Sequence, residues 1–438
     1  MSDDNRLVFV GATDLAGLLR GKSFPASERT SRMRKGVGWT PTNVQINCFN
    51  TIAETPFGAL GDLALVPDPE ARLTLAAEGE APALDVMLGD ILYLDGQPWE
   101  FCTRSHLKRA LSTLRGKAEL EVFGAFEHEF MLRDAVPVPG DSYSFRGFRS
   151  AQAWAEPLIA ALRHAGIAPD TFMKEYGARQ YEVTCGPTMG VAVADQAALL
   201  RMLVQDITGR FGHQSSFAPI LDPSDVGNGV HIHLSLRDTD GHPVTHDADD
   251  PHGLSEPARY FIGGILAHLD QILALLAPSE ISYLRLTPHR WSAAFNNLGF
   301  RDREAAVRIC PVSNLDPAKV AAQYNFEVRA CDAAASPHLA LAALIFAGAA
   351  GVRDRIGPPG VTEDDLSLWP EDRLHAAGMI RLPQSLSEAL EAFEASDAVR
   401  GWFGADFVKV YADHKRSELK VLEGLDTAEK CARYGEVY

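Results

Sequence analysis

Apolar and polar positions alternate along this chain with two periods, and the changes of period mark its organisation. Near the start, LVFV reads as a short strand, followed by a turn through Asp14 and Gly17 and a second strand ending at Pro25. Between Pro56 and Pro98, short apolar runs such as LALVP and DILYL stand among Gly, Pro and Asp. These predict a small strand-rich domain over residues 1–102. Thr103 followed by SHLKRALSTL predicts a capped amphipathic helix, which opens a second domain over 103–438. Beyond it the helical period predicts helices over roughly 150–165, 193–212, 255–277, 337–355, 385–396 and 404–422. Segments 134–150 and 237–253, rich in Pro, Gly and Asp, read as surface loops. The fold class is α+β, with helices covering one face of a sheet.

The strand period also sorts chemistry onto faces. In EVFGAFEHEFML, Glu127 and Glu129 share one face and Phe126, His128, Phe130 and Leu132 the other. Gln180, Glu182 and Thr184 share a face of RQYEVTC, with Glu175 preceding them across a Gly-containing turn. His231, His233 and Ser235 line up in VHIHLSL, and Asn325, Glu327 and Arg329 in YNFEVRACD. A single acid or histidine on a strand is more often a solvated outer-face residue than a ligand. Four such strands could bring five carboxylates and an imidazole together, and oxygen-rich ligation suits Mg²⁺ or Mn²⁺. Arg285, Arg301, Arg303, Arg308 and Arg329 add guanidiniums suited to phosphate and carboxylate groups. The chain has no GxxxxGK[ST] loop, so the pattern points to phosphoryl transfer from ATP outside the P-loop class.

Composition narrows the partners. The chain has 438 residues and a net charge of −17, which disfavours nucleic acid and anionic membrane. Its six cysteines are scattered without a CxxC pair, as suits a reducing compartment. No apolar run of membrane-spanning length and no secretory signal is apparent, so the expected location is cytoplasmic.

Read in order, the motifs resemble the glutamine synthetase family of ATP-dependent amide ligases over nearly the whole chain. TDLAGLLRGKSFPA and GDLALVPDP resemble its N-terminal signatures, FEHEF its ExEF strand, and KEYGARQYEV its paired-glutamate strand in a spacing variant of non-ammonia members. GNGVHIHLSL, SEISYLRLTP, REAAVRIC and FEVRACDAAASPHLALAALIFAG resemble the later motifs, and FVKVYADHKRSEL to RYGEVY the last helices. The resemblance implies a β-grasp-like N-terminal domain, a catalytic domain with a curved antiparallel sheet covered by helices, and a homo-oligomeric ring. The ring that the resemblance implies is a dodecamer with active sites between subunits. It implies glutamate, ATP and a small amine as substrates, with two or three Mg²⁺ or Mn²⁺ ions. By resemblance Glu129, Glu175 and Glu182 hold the acceptor-side metal, and Glu127, His231 and Glu327 the metal beside the ATP phosphates. Arg285 and Arg329 hold glutamate carboxylates near Gly227, Arg303 and Arg308 neutralise the transferring phosphoryl group, and His233, Ser235 and Arg308 contact nucleotide.

Departures from the family pattern are as informative. Six residues after Arg285, where glutamine synthetases proper carry a flap glutamate, stands Trp291. The counterpart of their ammonium-deprotonating segment, NCFNTIAETPFG, has no acid before Glu54, and Asn47 and Asn50 are its nearest polar residues. An ammonium ion needs anionic partners to replace its water, whereas an indole offers area and a π face. The expectation is therefore a glutamate–amine ligase whose amine is larger than ammonia, and Trp291 is a candidate contact for that amine. True glutamine synthesis and a non-catalytic regulatory role are the alternatives. Asn325 and Ile220 stand where the family often has arginine and lysine, and the histidines of 237–253 read as a solvated loop.

Overall fold

The computed structural model describes residues 6–54, 56–77, 79, 81–313 and 316–438. Val8 and Val10 bury one face of strand β1 (Leu7–Thr13), which turns into antiparallel β2 (Leu19–Pro25). The Asp14 carboxylate fixes that turn by accepting the N–H groups of Ala16 and Leu18 at 2.9 and 2.8 Å. Gly17 completes it at φ +75°, where an added Cβ would lie 2.5 Å from the Ala334 carbonyl oxygen. Strands β3 (Val37–Trp39), β4 (Leu63–Leu75) and β5 (Leu84–Tyr93) complete a five-stranded sheet in the order β2-β1-β5-β4-β3. Both predicted N-terminal strands and both apolar runs fall in this sheet.

The larger sheet is built from β6 (Leu120–Leu132), β7 (Pro169–Lys174), β8 (Gln180–Cys185), β9 (Thr188–Met189), β10 (Ser215–Ser216) and β11 (Val230–Asp238). It continues through β12 (Leu298–Phe300), β13 (Val307–Ile309), β14 (Phe326–Cys331) and β15 (Val361–Thr362). Its order is β15-β12-β13-β14-β11-β6-β8-β7, with β9 and β10 also pairing with β6. Neighbours from β13 to β7 are antiparallel, but β12 runs parallel to both β13 and β15, so the sheet is mixed and not antiparallel throughout. Strands this short span only about 10 Å, so the link 301–306 can return the chain to the starting edge without a helix.

Helices lie where the 3.6-residue period places them: Thr103–Ala118, Ala192–Arg210, Pro337–Asp354, Leu386–Ala395 and Ala405–Val421. Three expectations are corrected. Thr103 is not a cap, because its hydroxyl donates to the Thr13 carbonyl at 2.7 Å instead of accepting from its own helix. The presumed loop 134–150 becomes helix at Phe145, where the Ser144 hydroxyl accepts the Gly147 N–H and nucleates Phe145–His164. The helix expected over 255–277 breaks at His268 into Glu256–Ala267 and Leu269–Leu276, bent by 77°. That bent pair is apolar enough for a membrane but is buried against Pro337–Asp354, and no single described helix is long and apolar enough to cross one.

A buried polar chain ties the smaller sheet to the larger unit. Thr13 Oγ1 meets His338 Nδ1 at 2.9 Å, and His338 Nε2 meets Asp195 Oδ1 at 2.8 Å. Asp195 accepts two hydrogen bonds from Arg104, which also reaches Asp68 and Asp90. Burial works against the Asp195 charge, but His338 and Arg104 outweigh it and hold the carboxyl at about 2.

Candidate active site

The register of four adjacent strands decides which side chains meet. Glu129 of β6 lies directly opposite Glu182 of β8, His231 of β11 opposite Glu127, and His233 opposite Glu327 of β14. Arg308 of β13 stands opposite Glu327 from the other side. Polar residues on alternate positions of these strands therefore gather over one cavity of about 980 Å³. The alternation on β6 follows the sequence reading, with Phe126, His128, Phe130 and Leu132 buried behind Glu127 and Glu129.

Of the residues singled out in the sequence, Glu127, Glu175, Glu182, His233, Ser235, Trp291, Arg303 and Arg308 line this cavity. Glu129, His231, Glu327, Gly227, Arg285 and Arg329 are not in its lining. Glu127 accepts from His231 at 2.8 Å and approaches His233 Nε2 at 3.2 Å. Glu327 meets His233 Nε2 at 3.1 Å and is gripped by the guanidiniums of Arg308 and Arg329. Arg285 is buried, donating to Ser292 Oγ at 2.8 Å and the Cys331 carbonyl at 2.7 Å. Gly227 packs on the Arg285 side chain, and its carbonyl accepts from Gln180 at 2.9 Å. Arg285 Nε, also buried, is left without a hydrogen-bond partner. Ser235 donates to the Phe123 carbonyl at 3.2 Å, at the end formed also by Gly124 and Ala125. No ion pair of Arg303 occurs among the described residues, and this side chain is exposed.

Electrostatics divides the site. Burial lifts the Glu182 carboxyl to about 10, reinforced by the charges of Glu127, Glu129 and Glu175. Burial also raises Glu129, beyond what His231 and the Gly229 N–H recover. Glu127 goes the other way: burial opposes its charge, but hydrogen bonds from His231 and His233 prevail. Facing carboxylates without an ion pair to Lys or Arg among the described residues fit a hard divalent ion, which would relieve their repulsion.

The flap carrying Trp291 is pinned by its backbone. Glu304 accepts the N–H groups of His289 and Trp291 at 3.0 and 3.1 Å, and Arg329 donates to the Trp291 carbonyl at 3.2 Å. Arg290 reaches back to the carbonyls of Asp225 and Pro223. Trp291 holds φ +55°, a costly conformation for a bulky residue, with its side chain 69% exposed. Trp291 and Arg303 form the common wall between the main cavity and a second one of about 640 Å³. Asp302, Glu304, Glu363, Asp364 and Asp365 contribute to that second lining.

Sequence reading missed Tyr143, whose hydroxyl donates to Glu175 at 2.5 Å from the loop before Phe145–His164. No periodicity could have singled it out. Asn47 lies outside this cavity lining: it is buried, accepts from Phe49 and Thr51, and donates to Ser417. Glu54 and Asn50 are likewise absent from the cavity lining, which begins at Phe123. Ile220 is a fully buried core residue.

A small mixed-sheet domain thus packs beside a large sheet that gathers carboxylates against guanidiniums. The family description "Glutamine synthetase, catalytic domain" matches residues 100–434 and "Glutamine synthetase N-terminal domain" residues 2–99, so the chain belongs to the glutamine synthetase family. It is 32% identical to the γ-glutamylpolyamine synthetase GlnA3 of Streptomyces coelicolor, over 98% of this chain and 92% of that one. It is 28% identical to the glutamate–methylamine ligase of Methyloversatilis universalis, over 92% and 90%. A crystal structure described as a novel glutamine synthase homolog superposes with a TM-score of 0.91 at 39% identity, covering 99% of both chains.

Proposed function

We propose that this ligase joins the γ-carboxylate of glutamate to an amine larger than ammonia, with ATP as activating co-substrate. The observation that carries the reading is Trp291: an exposed indole, not a carboxylate, stands on the flap between the main cavity and an acid-lined second one. An ammonium ion would find no anionic cage in that indole. An amine with a carbon chain gains apolar area and a π face, and a second cationic group would find carboxylates beyond it. The names of the two relatives, one a polyamine and one a methylamine ligase, support the same reading.

The chemistry proposed is activation followed by displacement. A carboxylate is a poor electrophile, so its oxygen first attacks the γ-phosphorus of ATP and ADP departs. Arg303, unpaired by any described acid, and Arg308 offset the charge on the transferring group. The amine nitrogen then attacks the acyl carbon, phosphate leaves, and the departing phosphate takes the amine proton. Glu129, Glu175 and Glu182 on one flank and Glu127, His231 and Glu327 on the other would hold Mg²⁺ or Mn²⁺, which supply positive charge to phosphate and carboxylate oxygens. His233 and Ser235 serve the nucleotide end, and Arg285, Arg329 and Gly227 set the floor and flap against which glutamate rests. Residues 1–102 form the unit that completes a neighbouring subunit's site in a ring, a reading supported by a lining of this chain's own cavity that includes no described residue of 1–102.

The test is ADP release with glutamate and a panel of ammonium, alkylamines, aryl amines and diamines. Turnover should favour a carbon-bearing amine over ammonium, and Trp291→Glu should shift kcat/KM toward ammonium by about tenfold, or about 1.4 kcal/mol. Turnover with ammonium alone would overturn the reading.

A further inference from the structure

Beside His233 stands a thiol, Cys310, to which the proposed phosphoryl transfer gives no role. Cys310 follows β13 at two residues from Arg308, so the strand period turns both toward the same face. Its backbone N–H donates to the Asn325 carbonyl at 3.1 Å, which seats the thiol beside β14. Cys310 Sγ lies 3.7 Å from His233 Nδ1, and donor atoms of His233, Cys310 and Glu327 all fall within 4.8 Å of one another. Glu127 adds a carboxylate oxygen 3.2 Å from His233 Nε2.

The His233 ring is oriented by Asn325. The Asn325 amide donates to the Gln323 carbonyl at 2.9 Å, which turns its oxygen toward His233 Nδ1 at 3.0 Å. On its other edge, Nε2 faces carboxylate oxygens of Glu127 and Glu327 at 3.2 and 3.1 Å. An outer-shell hydrogen bond that fixes the ring is the usual support of a metal-bound histidine. Here that support comes from the residue that stands where an arginine is often found.

We infer that His233, Cys310 and Glu327, with Asn325 positioning the ring, form a site for a thiolate-seeking divalent ion of the zinc class at the nucleotide end. A set of imidazole, thiolate and carboxylate favours zinc over magnesium, because magnesium takes oxygen donors and gains little from sulfur. Binding replaces the thiol proton, which leaves to solvent, and the ion enters through the cavity that His233 lines. Since Glu127 and Glu327 also belong to the proposed nucleotide-side ion, zinc would displace that ion and inhibit turnover. The site stands on its own geometry and does not need the ligase reading to be correct.

The test uses the full-length protein stripped of metal and titrated with Co²⁺ as a spectroscopic probe. One equivalent should produce a thiolate-to-cobalt absorption in the near ultraviolet that persists in Cys185→Ser, the cysteine in the cavity lining, and disappears in Cys310→Ser and Cys310→Ala. Asn325→Ala should weaken Co²⁺ and Zn²⁺ by about 10- to 100-fold. As a check independent of any variant, zinc-edge X-ray absorption of the wild type should show one sulfur neighbour at about 2.3 Å. No thiolate band, a band that follows Cys185, or a zinc shell of oxygen and nitrogen alone would each overturn the inference. Because these readouts are optical and structural, their failure is separate from a failure of the amine panel.

Discussion

Arg303 and Arg308 carry the same charge, yet the structure gives them different burdens. Arg308 is buried and grips Glu327 from the neighbouring strand, together with Arg329, while Arg303 stands exposed in the cavity wall. Removing one partner of a buried ion pair leaves charge uncompensated. Arg308→Ala should therefore lower stability by about 3 kcal/mol as well as activity, measured by thermal denaturation of the metal-free protein. Arg303→Ala should leave the thermal midpoint unchanged and cut kcat by on the order of 100-fold or more. Equal destabilisation by both would refute this division. The two arginines were legible in the sequence as candidates, but their difference was not. It depends on which strand lies alongside, and a period of two within one strand is silent about the neighbour.

At the scale of elements, the helix Glu256–Ala267 packs on Pro337–Asp354 through glycines. A Cβ built on Gly351 would lie 2.1 Å from the Tyr260 carbonyl oxygen and 2.6 Å from Gly264 Cα. Those are backbone atoms, so the helices themselves would have to separate. Alanine gains about 1 kcal/mol of helix propensity over glycine, but overpacking costs about 1–3 kcal/mol and here meets no flexible side chain. Gly351→Ala should thus be net destabilising and lower the thermal midpoint, while Gly401→Ala, with open space around its Cβ, should not. The helices were readable from their 3.6-residue period. The break at His268 was not, since the apolar pattern runs through it and only packing imposes the 77° bend. Short helices such as Arg29–Lys35 were also missed, because two turns carry too little periodic signal.

Across the whole molecule, buried histidines set an acid limit. Burial holds both His106 and His128 at about 3, against an ordinary value of 6.5. The unfolded chain binds protons below 6.5 that the folded chain refuses until about 3, so stability falls as pH drops through that window. The slope is about 1.4 kcal/mol per pH unit for each histidine. The thermal midpoint at fixed protein concentration should fall between pH 7 and 5; a flat profile would count against buried neutral rings. The cavity lining begins at Phe123 and includes no described residue of 1–102. Sedimentation should accordingly find a multi-subunit ring, and a fully active monomer would sink the proposal that neighbours complete each other's sites. The sequence by itself determined the α+β class, the strand and helix periods, and which residues carry charge on which face, because those follow from local geometry. Only the tertiary structure decided that Glu129 faces Glu182, that Arg285 donates to the Cys331 carbonyl, that Tyr143 reaches Glu175, and that Cys310 and Asn325 attend His233. Those outcomes depend on register between strands distant in the chain, and no single strand encodes the side chains it will meet.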